Sequence, residues 1–104
     1  MKTFLISDNI DTLVGLNIAG IKGKIVSNEE ECAKEVKELL ENRKVELILI
    51  TEKAALLIPE LIKKIKFERR FPLIVEIPDA GGSIKQENNI LQYIKKAIGL
   101  KLDV

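Results

Sequence analysis

Asp8 and Asp11 stand three residues apart just after an apolar run, and Thr51-Glu52 closes another such run. Clustered carboxylates are what a divalent cation needs, so this set is the first candidate for chemistry. A phosphoacceptor site of receiver type would add an aspartate at the end of the third strand and a later lysine. Thr51 stands in the acceptor's place, and no fifth strand follows to bring the lysine. Asp11, ahead of Leu13-Val14, reads instead as the N-cap of the first helix. A nucleotide or flavin site would need a glycine-rich turn between first strand and helix, where backbone donors meet phosphate. The turn Ser7-Asp8-Asn9-Ile10 has no glycine and carries a negative charge there. Gly15, Gly20 and Gly23 fall within or after the helix; Gly81-Gly82-Ser83 could bind an anion, but a single Gly-Gly is a weak signal and usually marks an ordinary turn. Cys32 lies on the apolar side of a helical segment, with no histidine anywhere to activate it, so it reads as a core residue. The same scarcity of Cys and His leaves a structural zinc site almost nothing to use. Lys63, Lys64, Lys66, Arg69 and Arg70 form a basic cluster, but a net charge of +1, 4% aromatics and no Trp suit a solvated helix end better than a nucleic-acid surface. No catalytic, cofactor-binding or metal-binding residue is expected.

These residues are carried by four β-rich runs, Thr3–Ser7, Lys24–Ser27, Leu47–Thr51 and Leu73–Ile77, three of them nearly continuous, as in strands covered on both faces. Helical spacing fills the intervals. The first helical segment covers about Asp11–Ala19 and is closed by Gly20. In the second, Cys32, Val36, Leu39 and Leu40 share a face, with Ser27 or Asn28 as N-cap and acids in the first turn. Pro59 divides the third into a short turn through Leu57 and a helix that starts near Pro59, with Ile58, Leu61, Ile62 and Ile65 inward. The last helix spans roughly Gln86–Ile98 and ends at Gly99. Strand–helix alternation with short connections predicts an α/β fold: a four-stranded parallel sheet in the order 2-1-3-4, helices on both faces, Rossmann- or receiver-like. One domain over 1–104 is expected, with a short tail at 100–104.

The chain has 104 residues, 46% hydrophobic and 32% charged, which supplies a core and a soluble surface and argues against disorder. Residues 1–60 hold 8 basic and 11 acidic side chains, a balance of −3; residues 61–104 hold 9 and 5, a balance of +4. The C-terminal part therefore favours an acidic partner surface, or simply presents a solvated helical face. No apolar stretch approaches the roughly 18 residues of a membrane span, and the first residues lack a secretion signal. A cytosolic location is expected, in keeping with one unpaired cysteine.

The pattern Asp8-x-x-Asp11-Thr12-x-x-Gly15-Leu16-x-x-Ala19-Gly20-Ile21 is one of several motifs that fall in family order. The others are the strand into Thr51-Glu52, the Ile58-Pro59 break, the strand Pro72–Pro78, and Ile90-x-x-x-Ile94-x-x-Ala97-Ile98-Gly99. Together they resemble the F subunit of V-type (A/V-type) rotary ATPases over nearly the whole chain. The resemblance implies a non-catalytic subunit of the central rotor stalk, without a cofactor. Such a subunit docks on the coiled-coil D subunit inside the catalytic head and helps couple ATP turnover to ion translocation. It would be cytoplasmic and peripheral to the membrane, with no nucleic acid and no membrane insertion of its own. The expected partner face comprises Asp11, Thr12, Gly15 and Leu16 on the first helix, Pro78, Gly81 and Gly82 in the loop after the fourth strand, and Tyr93 and Lys96 on the last helix. Gly81 and Gly82 allow close backbone approach, and Tyr93 falls off the Ile90/Ile94 stripe. Leu56, Leu57 and Leu61 widen the third segment beyond a single stripe, as core filling or as an exposed patch. The tail after Gly99 is short, so a long helix reaching into the head is not expected. A receiver-type signalling domain and a flavodoxin-like ligand-binding module share the expected fold; Thr51 opposes the first and the missing phosphate loop the second.

Overall fold

A computed structural model describes residues 2–78; the expected loop from Asp79 onward, the last helix and the tail lie outside the described residues. The elements run β1 (Thr3–Ser7), α1 (Ile10–Ile18), β2 (Lys22–Ile25), α2 (Glu29–Glu41), β3 (Leu47–Thr51), α3 (Glu52–Ala55), α4 (Pro59–Glu68) and β4 (Leu73–Ile77). All three strand pairings are parallel and the order is β2-β1-β3-β4.

Alternation along the strands divides the core into two layers. Phe4, Ile6, Ile48, Ile50 and Ile74 point to the side covered by α2, α3 and α4, where they meet Val36, Ala54, Ile58, Ile62 and Ile65. Leu5, Leu47, Leu49, Val75 and Ile77 point to the other side, where Leu13 and Leu16 of α1 join them. Every residue of β3 is buried, as a central strand covered on both faces requires.

The helix ends follow local chemistry. Asn9, rather than Asp11, caps α1: its Oδ1 accepts the Thr12 amide at 2.8 Å, while Asp11 sits exposed in the first turn. Asn9 is extended and so can fold its side chain back on the turn; Asp11 is already helical. Gly20, at φ +87°, closes α1, with its amide on Asn17 O and the Ile21 amide on Leu16 O, both at 2.9 Å. Asn28 caps α2 through the Glu31 amide at 2.9 Å. Pro59 opens α4 at its first position, where its missing N–H costs nothing. Ile58, Ile62 and Ile65 are buried as expected, Leu57 and Leu61 pack half-buried against the same layer, and Leu56 is exposed.

The second strand lies two residues earlier than expected. It is an edge strand, covered by α1 on its Ile21/Gly23/Ile25 side and lined by Lys22 and Lys24 on the other, so its apolar signal is weak. Lys24 Nζ meets Glu35 Oε1 of α2 at 2.8 Å, and that carboxylate holds the ammonium above its ordinary range. Val26 leaves the sheet to enter the opposite core layer, its amide still on Ser7 O at 2.9 Å.

Candidate functional site

In an open parallel sheet, the crevice where neighbouring connections part to opposite faces is the usual ligand position. Here that place lies between the carboxyl ends of β1 and β3, because β1 leads to α1 on one face and β3 to α3 on the other. Its polar groups are bonded to one another. The buried Thr51 hydroxyl donates to Asp8 Oδ1 at 2.7 Å and accepts the amides of Asp8 (3.2 Å) and Ala54 (3.3 Å). Asn9 Nδ2 donates to the same Asp8 oxygen at 3.2 Å. Ser7 Oγ donates to Asn9 O and accepts the Asn9 amide, at 2.7 and 3.0 Å. Thr51 thus ties two strand ends together and caps α3. Asp11 is exposed in the first turn of α1. Among the described residues no three acidic, thiol or imidazole groups converge as a cation site.

The outer side of α1 offers a different kind of site. Ile10, Val14 and Ile18 follow one another at i, i+4 and i+8, which places them on one stripe of the helix. They are 59%, 49% and 78% exposed. The opposite stripe, Thr12, Leu13 and Leu16, faces the sheet, where Thr12 and Leu16 are buried. The helix is therefore apolar on both sides, although only one of them meets the core. Contiguous exposed apolar surface of this kind marks an interaction face.

This geometry sorts the residues singled out in the sequence. Asp11 is exposed and Gly15 half-buried, both bordering the apolar stripe; Thr12 and Leu16 belong to the core. Pro78 is half-buried after β4, and Gly81, Gly82, Tyr93 and Lys96 lie outside the described residues. Ile10, Val14 and Ile18 are not among the residues singled out in the sequence; a second apolar series on one helix was the signal for them, without saying which series faces the core. Cys32 is buried, with Sγ against Ala54 O at 3.5 Å, and burial pushes its thiol up to about 11. Of the basic cluster, Lys66 pairs with Glu76 at 3.7 Å, and Lys63, Lys64, Arg69 and Arg70 are exposed.

Comparison with known families decides the affiliation. Residues 4–94 match the model of the ATP synthase (F/14-kDa) subunit. The chain belongs to that family. It is 34% identical to the A-type ATP synthase F subunit of Methanocaldococcus jannaschii, covering 98% of this chain and 99% of that protein. The F subunit of Pyrococcus furiosus is 36% identical with 98% of each chain covered, and that of Methanosphaera stadtmanae 34% identical with 88% of each covered. No helix among the described residues is long and apolar enough to cross a membrane.

Proposed function

We propose that this chain is a non-catalytic subunit of the central stalk in an A-type ATP synthase. It docks on the coiled-coil stalk subunit and helps couple ATP turnover in the head to ion translocation. It sits on the cytoplasmic side, peripheral to the membrane. The observation that carries the reading is the exposed Ile10/Val14/Ile18 stripe, supported by family membership. Eight residues of helix separate its ends, about 12 Å, or a little over two turns. A ridge of that length seats in the groove of a facing helix pair by ordinary ridge-into-groove packing. Asp11 and Gly15 at its margin complete the face: the first adds charge, and the second lets another backbone come close.

A receiver-type function would need a carboxylate where the buried Thr51 hydroxyl bonds to Asp8. The crest is organised to hold strand ends together, and the proposed work is done on a helix flank. Size-exclusion chromatography of the chain mixed with the coiled-coil stalk subunit of the same organism tests this. Co-elution at one-to-one stoichiometry is expected, and separate peaks from folded components would overturn it.

A further inference from the structure

At the amino edge of the sheet, on the far side from the α1 stripe, lies an open groove of about 990 Å³. The segments that lead into β1, β3 and β4 build it, together with the end of α2. Its apolar part is Leu40, Val45, Pro72 and the half-exposed Phe71. Lys2, Arg43, Lys44 and Arg69 line it against only Glu41 and Glu46, a balance of +2. Among the described residues, none of Arg43, Lys44, Arg69 and Arg70 has a carboxylate within ion-pair distance. Arg69 gives one N–H to Leu40 O at 3.5 Å, which leaves the rest of its donor fork for another acceptor. Phe67, in the last turn of α4 beside this edge, is 92% exposed. A cationic rim over an apolar floor, with aromatic side chains left in water, is the composition of a protein interface.

We infer that this groove is a second docking face, and that it takes an acidic segment of a partner protein carrying an apolar anchor. Charge complementarity selects the segment, while Phe71 and the Leu40/Pro72 floor hold the anchor. A phosphate backbone would run against Glu41 and Glu46, and a flat lipid surface cannot enter a groove; both fit less well than a peptide. With α1 on one face of the sheet and the groove on the other side, the subunit can hold two partners at once. The inference rests on membership of a rotary complex, and not on the α1 interface.

The test places p-benzoylphenylalanine at position 71 and photolyses the purified ATP synthase containing the chain. The captured peptide should be net acidic. The double variant Arg43→Glu/Arg69→Glu should still co-purify and should lower the adduct yield by about tenfold, as should raised salt. A neutral or basic peptide, a lipid or nucleic-acid adduct, or a yield indifferent to the charge reversal would overturn the inference. A chain that fails to co-purify with the complex would overturn the proposed function, and the inference with it.

Discussion

Truncating the α1 stripe separates binding from folding. Ile10 and Ile18 are 59% and 78% exposed, so a partner that covers them gains most of what full burial of an isoleucine yields. That is about 1.5–3 kcal/mol per side chain, or roughly 1–2 kcal/mol for the part still in water. Ile18→Ala should therefore weaken the complex with the coiled-coil stalk subunit by roughly five- to thirtyfold. The double variant Ile10→Ala/Ile18→Ala should weaken it by about two orders of magnitude if the sites add. The fold should hardly respond, because surface changes of this kind stay within about 0.5 kcal/mol and Ala is the better helix former. Isothermal titration calorimetry gives the affinity and thermal unfolding the stability. A double variant that binds within twofold of the parent would refute the assignment of this face.

Other consequences are local. Gly23→Ala would set a Cβ 2.7 Å from Leu5 Cβ and Leu5 O and 3.0 Å from Leu13 Cδ1, so β2 must shift against its neighbour β1 and the Leu13 side chain of α1 must give way. A loss of about 1–3 kcal/mol is expected, seen as a melting point lower by roughly 5–15 °C; an unchanged melting point would contradict it. Thr51→Val takes the hydroxyl from the buried Ala54 amide and from part-buried Asp8 and should cost about 1–3 kcal/mol in urea unfolding. A loss below about 0.5 kcal/mol would remove the hydroxyl's structural role. Cys32 should resist Ellman's reagent at pH 8 in the native state and react at once in denaturant. Its folded thiol, raised from 9.0 to about 11, keeps its proton after the unfolded thiol has lost it. The Cys32 contribution to stability is thus intact below pH 9 and declines from there to about pH 11. Rapid native labelling would contradict this.

Three strands were legible to the residue because each carries a continuous apolar stretch, Phe4–Ile6, Leu47–Ile50 and Leu73–Val75, as strands covered on both faces do. Pro59 likewise marked the break between α3 and α4, since proline fits only where an amide has no partner. β2 was displaced because half of its side chains are lysines, which read as loop. Asn9 and Asp11 are both capping types two residues apart, and backbone geometry chose the first. The orientation of α1 was not legible for a related reason. Thr12/Leu13/Leu16 and Ile10/Val14/Ile18 are both apolar enough to face a core, so helical period leaves the choice open. Contact settles it: Gly23 of β2 has no side chain, Leu13 occupies the space above it, and the isoleucines are turned outward. Half of the expected first-helix face, Asp11 and Gly15, therefore borders the stripe, and the other half, Thr12 and Leu16, supports it from below.

Methyl-labelled NMR of the chain during titration with the coiled-coil stalk subunit tests the central claim most directly. The methyl signals of Ile10, Val14 and Ile18 should shift and lose solvent contact at one equivalent, while those of Ile48 and Ile50 in the buried strand β3 stay in place. Binding that leaves the three α1 methyls unmoved and shifts another surface would contradict the account.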